Sequence, residues 1–354
     1  MSIIEHMDTE SRPIKWVFDE FKKNNLFVDE SFQRNYIWIK KDRISLLETI
    51  ILGFPIPEIY LWETGTDPNT GETKYSIIDG QQRIRTIGEF IDNDQKLTDS
   101  GLEFANPKYR NKIFDELDPG IKSSIWSYKI SIRFVRKVVH RDDIVKMFLR
   151  LNRTANALNP QELRNAEFNG KFLRASEKVA SLSFWSKWKI FGENEIRRMS
   201  DIQFASTLLI FVRSGFEDET TQSAINKMYD LYNEEYPDAE GDIQAIDNVL
   251  NVMDELIKIN ENLSSTLRKN THLYSTFTLV YSLMRTGNIG LKTLSNQLSD
   301  WFSWTEQITH PREEYTDAVI EYRRLSQEGV QKKSNRYSRF EILSFFIEHE
   351  KILS

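Results

Sequence analysis

The chain has 354 residues, 40% of them hydrophobic and 28% charged, with a formal net charge of −6 and no cysteine. This length favours two domains, the balance is that of a globular protein, and zero cysteines exclude disulfides, thiolate zinc sites and a cysteine nucleophile. No apolar run is long enough to span a membrane, and the start lacks the segments of a signal peptide, so a cytoplasmic protein with no membrane partner is expected.

The first part mixes strands and helices. Residues 26–28 suit a short strand. The spacing of Ile44, Leu47 and Ile51 predicts a helix over 42–52, closed by Gly53. Pro55 and Pro57 favour extended backbone, and a strand rich in β-formers follows over 58–63. Asp67, Pro68, Asn69 and Gly71 mark a turn-rich loop, and a return strand over 73–78 completes a hairpin. That hairpin delivers Asp79 to Gly80, where the chain can bend sharply into a helix over 81–91. A further strand is expected over 128–135, where Ile130, Ile132 and Phe134 alternate with polar residues.

After about residue 139 the pattern turns helical. Ile144, Met147, Phe148 and Leu151 form one stripe; Asn159 is the cap and Pro160 the first residue of the next helix. Helices are expected near 172–182, 202–212, 224–232, 243–260, 274–284, 291–301, 317–325 and 339–347, and a polar, exposed loop over 326–338. The fold class is therefore α+β: a mixed domain over 1–138, then a mostly α-helical domain over 139–354.

Three stretches could carry chemistry. In Asp79-Gly80-Gln81-Gln82-Arg83, a helix opens with unpaired amides beside a guanidinium, which attracts phosphate. A nucleotide or nucleic-acid phosphate held over 79–86, down to Thr86, is one reading; an ordinary strand–glycine–helix junction with an Arg85–Glu89 ion pair is the other. In Phe32-Gln33-Arg34-Asn35-Tyr36-Ile37-Trp38, Gln33 and Arg34 can grip a phosphate or base edge and Tyr36 and Trp38 can stack, or the aromatics can simply be core. In the polar stretch 151–165, Asn152, Arg153 and Arg164 could close over a ligand, or Asn152 and Thr154 could only shape a helix junction. The basic pairs Arg197-Arg198 and Arg323-Arg324, and Lys332-Lys333 with Arg336 and Arg339, are candidate DNA contacts or solvated helix faces. The five histidines lack metal-binding spacing, and no phosphate-loop motif is present.

Taken together, the 32–38 and 79–83 motifs, Gly53-Phe-Pro-Ile-Pro57, Leu151-Asn-Arg-Thr154 and Leu158-Asn-Pro-Gln-Glu-Leu-Arg-Asn165 resemble the N-terminal domain family of GmrSD-type modification-dependent restriction endonucleases. The resemblance covers roughly the first half. It implies a ParB/sulfiredoxin-like fold and a module that binds and hydrolyses nucleoside triphosphate in bacterial defence against phage DNA. Asp79 would orient a metal-bound or attacking water, and Gln81, Gln82 and Arg83 would hold phosphates, with Gln33 and Arg34 completing the pocket. Mg²⁺ would sit mainly on phosphate oxygens. Where the family usually continues Leu-Thr-Thr after the arginine, this chain has Ile84-Arg85-Thr86. Family members often carry a C-terminal histidine-metal nuclease domain that is not evident here, so a separate nuclease subunit is an expected partner, beside direct cutting by this chain and pure DNA sensing.

Overall fold

The structure, a computed structural model, describes residues 3–29, 38–104, 106–152, 159–287 and 290–353. The chain forms two compact units, Met1–Glu167 and Phe168–Ser354. The division falls after Glu167, beyond the change of pattern near residue 139.

The first unit contains β1 (Met7–Pro13), α1 (Ile14–Lys22), β2 (Leu26–Phe27), α2 (Lys40–Ile51), β3 (Ile59–Thr66), β4 (Thr73–Asp79), α3 (Gln81–Ile91), α4 (Pro119–Ser127), β5 (Lys129–Val135), α5 (Arg141–Leu151) and α6 (Pro160–Glu167). The strands form one sheet in the order β1-β5-β3-β4-β2. β3 and β4 are the antiparallel hairpin, while β3–β5 and β2–β4 are parallel.

Both faces of the sheet are covered, which follows from side-chain alternation along the strands. Ile59, Leu61, Ile77, Ile130 and Ile132 join a core with residues of α1 to α4. Ile78 and Val135 join a second core with Ile144, Phe148 and Ala166 of α5 and α6, against which Tyr60 and Trp62 pack. α1 is not among the expected elements, although Ile14, Val17, Phe18 and Phe21 stand at helical spacing and pack on the first core; β1 carries little sequence signal. β1 reads Met-Asp-Thr-Glu-Ser-Arg-Pro and pairs only with β5 at the sheet edge, so it has no apolar alternation to reveal it.

The second unit contains α7 (Lys171–Ala180), α8 (Phe184–Lys187), α9 (Glu193–Arg197), α10 (Ser200–Ser214), α11 (Ser223–Leu231), α12 (Ala239–Ile259), α13 (Asn262–Thr266), α14 (Asn270–Thr286), α15 (Leu291–Thr305), α16 (Thr316–Gln327) and α17 (Lys333–Leu353). Its core is built around fully buried Leu208, Val249, Met253, Phe277, Trp301 and Tyr322. The fold class is α+β, a mixed unit followed by a helical one.

The stretch 326–338 is not one long exposed loop: α16 reaches Gln327 and α17 starts at Lys333. Arg336 and Arg339 lie one turn apart in α17 and are buried, which ends the loop early. Among the described residues no helix is long and apolar enough to cross a membrane.

Candidate functional site

The bend between β4 and α3 is fixed by Gly80. Its φ of 106° lies in the left-handed region, and a Cβ there would stand 2.8 Å from Cγ1 of Ile59. Both facts require glycine. Gly80 also has no side chain with which to cap α3, so it satisfies none of the amides of the first turn.

A β-bulge sets the direction of Asp79. Leu61 pairs with Ile77 and Tyr60 with Asp79, so Ile78 is the extra residue on β4. Bulges of this kind re-aim side chains next to functional sites. Tyr60 also pairs with Arg133 on its other side, placing Asp79, Tyr60 and Arg133 in a row across three strands. Residues paired in this way share a face of the sheet.

Arg83, one helical turn after Asp79, donates from one Nη to the Asp79 carboxylate at 2.7 Å and to the Glu58 carbonyl at 2.9 Å. The Arg83 side chain is only 12% exposed and that of Asp79 32%. The Nε of Arg83 is buried with no hydrogen-bond partner. Arg83 thus ties α3 to the end of β4 and to the residue before β3, and keeps one donor unspent.

Gln82 is buried, and its side-chain oxygen accepts from the Trp38 amide at 3.1 Å. The glutamine thus ties Trp38, the last residue of the first sequence motif, to the start of α3. Gln81 is half-buried at the first position of α3, and Thr86 is fully buried on the same helix. Arg85 is exposed and pairs with Glu89 at 2.9 Å; Glu89 also accepts from Arg43. Gln33, Arg34 and Arg153 lie outside the described residues. Asn152 is the C-cap of α5, its amide nitrogen donating to the Phe148 carbonyl at 2.9 Å, which is the junction-shaping role.

Sequence reasoning missed a second set of polar residues beside the corner. The Glu58 carboxylate accepts from Ser131 at 2.9 Å, from Arg133 at 2.9 Å and weakly from Tyr60 at 3.4 Å. The bonds from Arg133 and Ser131 hold its pKa below the ordinary carboxylate value, while burial and the nearby Glu58 charge push Tyr60 up. The signal was present in β5, where Ser131 and Arg133 are the polar half of the alternation, and in Glu58 just before β3. What joins them is the parallel β3–β5 register, which local patterning does not specify. α6 adds buried Gln161, Glu162, Arg164 and Asn165. Asn159 and Glu162 cap its start reciprocally, at 2.7 and 2.8 Å, as the Asn159-Pro160 signal implied.

The corner can therefore offer an anion the uncapped first turn of a helix and a half-exposed glutamine, with a buried unmet donor on Arg83 behind them. It also offers water a carboxylate. The two acids Asp79 and Glu58 match Arg83 and Arg133 in number, so this group carries no excess positive charge.

The basic candidates of the second unit separate into two kinds. Arg197 is half-buried and pairs with Glu193 at 3.3 Å, and Arg198 is also half-buried. Lys332 and Lys333 are exposed, with Glu217 at 3.8 Å from Lys333. Arg336 is a buried partner of Glu219, at 2.6 and 3.1 Å, not a surface cation. Arg339 is likewise buried, and Arg324 pairs with Glu321.

Residues 14–169 match the family described as GmrSD restriction endonuclease, N-terminal domain. No curated protein and no solved structure matches the chain.

Proposed function

We propose that residues 14–169, a domain of the GmrSD restriction endonuclease N-terminal domain family, bind and hydrolyse a nucleoside triphosphate as the sensor part of a bacterial restriction or phage-defence system acting on DNA. The same reading gives the domain a ParB/sulfiredoxin-like character and places the protein in the cytoplasm, where the phage DNA is. The observation that carries it is the Gly80 corner, where a bulged strand, a left-handed glycine and an uncapped helix start converge inside the matched segment.

In this reading the phosphates settle against the first turn of α3, where amides and the positive end of the helix favour anions. Gln81 stands at the opening, Gln82 accepts from the Trp38 amide, and Gln33 and Arg34 are assigned to phosphate binding. Asp79 orients the attacking water with the carboxylate oxygen that is not bonded to Arg83. The unspent Nε of Arg83 donates to phosphate as charge develops, and such preorganised donors supply most of the rate. Thr86 supports the helix from within, and Arg153 closes from the 151–165 stretch. Mg²⁺ enters as the counter-ion of the nucleotide; among the described residues no group of three or more His, Asp or Glu is arranged to hold a resident ion. Arg197, Arg198, Lys332 and Lys333 are the DNA contacts of the helical unit, and a separate nuclease subunit does the cutting.

The test is triphosphate hydrolysis by the full chain and by Asp79→Asn and Arg83→Ala. The expected fall is about 100-fold or more, the usual size for loss of one transition-state donor. Equal rates in all three, or no turnover in the wild type, would remove the hydrolase reading. A second reading rests on the Arg83 clamp itself: a guanidinium already bonded to Asp79 and the Glu58 carbonyl suits a binding switch that does not turn over. Nucleotide binding without hydrolysis, with DNA affinity falling steeply in salt, is its signature.

A further inference from the structure

The helical unit contains a cavity of about 230 Å³ between α10, α14 and the start of α17. Its wall includes Ser200 and Gln203 from α10, Asn270 and Tyr274 from α14, and Arg336 and Arg339 from α17. Four features of this wall point the same way.

The first is charge. Arg336 is matched by Glu219, but Arg339, 1% exposed, bonds only neutral acceptors: the carbonyls of Leu325 at 2.6 Å and Val330 at 2.9 Å, and Ser275 weakly at 3.4 Å. No carboxylate pairs with Arg339 among the described residues. Burial pushes its pKa down, yet a guanidinium stays protonated in proteins, so one buried cation lacks a counter-ion. The second is Tyr274, 4% exposed, which lines the cavity while its hydroxyl has no hydrogen-bond partner. Trp301 and Tyr322 also have buried unmet donors, but the Tyr274 hydroxyl belongs to a residue of the cavity wall.

The third is the backbone. Ser200 and Asn270 begin helices of 15 and 17 residues, and neither helix has a side-chain N-cap bond. Both helix starts reach the cavity wall; that of α10 is partly met by the Asp201 carboxylate, which accepts from the Asp201 and Ile202 amides, so the start of α14 is the more open positive end. Asp201, the acid in the first turn of α10, lines a different depression. The fourth is size. The space is below that of a typical drug-sized pocket and suits a phosphoryl group with little attached.

We propose that this cavity is a second anion site, which takes the phosphate group of a small ligand through Arg339, Arg336, the Tyr274 hydroxyl and the helix starts at Ser200 and Asn270. It is independent of the nucleotide reading of the Gly80 corner, since every residue named belongs to the helical unit. Phosphate from a mononucleotide and phosphate from a DNA backbone share this chemistry.

The experiment is calorimetric titration of the full chain with inorganic phosphate, against chloride at equal ionic strength. It is repeated for Tyr274→Phe and Gln203→Glu. Tyr274→Phe removes an unsatisfied hydroxyl, so the unliganded variant should melt at or above the wild-type temperature while its phosphate affinity falls about tenfold. Gln203→Glu puts a carboxylate at the wall and should abolish binding. Competition by a nucleoside monophosphate or by a short duplex then tells which source of phosphate the site prefers. No phosphate binding by the wild type overturns the proposal. Binding that both variants leave unchanged also overturns it, because the ion then sits elsewhere, at the Gly80 corner for example.

Discussion

At the β4–α3 corner of the first unit two acids and two arginines pair off at partial exposure, whereas in the second unit Arg336 and Arg339 are buried with Glu219 as the carboxylate bonded to Arg336. Exposed and half-exposed pairs contribute little to stability because water screens them. Buried cations are costly to leave alone and hard to disturb once paired. The corner is accordingly held by packing and by Gly80, and its charges can rearrange around a ligand at little cost. The helical cavity is held by its charges, and any ligand there should act on stability as well as on affinity.

That contrast can be broken most directly by removing one member of the buried pair. Glu219→Gln should destabilise the helical unit by roughly 3–5 kcal/mol, because Arg336 would be left buried and unmatched. Denaturant unfolding measures it, and a loss below 1 kcal/mol would mean that the pair is solvated after all. The matching change in the first unit is Gly80→Ala. It should cost roughly 1–3 kcal/mol from the left-handed φ, with more from the contact with Ile59, and it should abolish the corner's ligand affinity. Wild-type stability in Gly80→Ala would show that the bend tolerates a side chain.

Acid should also separate the units. His272 is buried with its pKa pushed below the ordinary 6.5, by burial first and against the pull of Glu306. The unfolded chain therefore binds its proton more readily than the folded one. Stability is at its full value above pH 6.5 and falls as pH drops from 6.5 towards the lowered folded value, by at most about 1.4 kcal/mol per pH unit. In His272→Phe that slope should disappear; an unchanged slope would assign the acid sensitivity to other groups. The smallest effect expected is at Arg85, which is exposed and pairs with Glu89. Arg85→Thr should change stability by no more than about 0.5 kcal/mol, since it removes one exposed i,i+4 pair. A larger loss would show that the arginine does more than pair with Glu89.

Much of this was legible in the sequence, and the parts that were not share a cause. The hairpin, its turn and the 81–91 helix were marked by local chemistry: β-formers, a turn cluster, glycine and helical spacing. The same holds for the cap at Asn159 and most helices of the second unit. β1 was hidden because an edge strand with one partner needs no apolar face. The bulge at Ile78 and the Glu58–Ser131–Arg133 network depend on register between strands far apart in sequence. The burial of Arg336 and Arg339 was equally invisible, because a basic run on a helix looks the same whether it meets water or Glu219.

The most direct test of the central claim is a structure of the full chain with a non-hydrolysable nucleoside triphosphate and Mg²⁺. Phosphate oxygens should lie within hydrogen-bonding distance of the first-turn amides of α3, with Asp79 facing the terminal phosphate. A saturating triphosphate bound away from Gly80, with that turn left untouched, would contradict it.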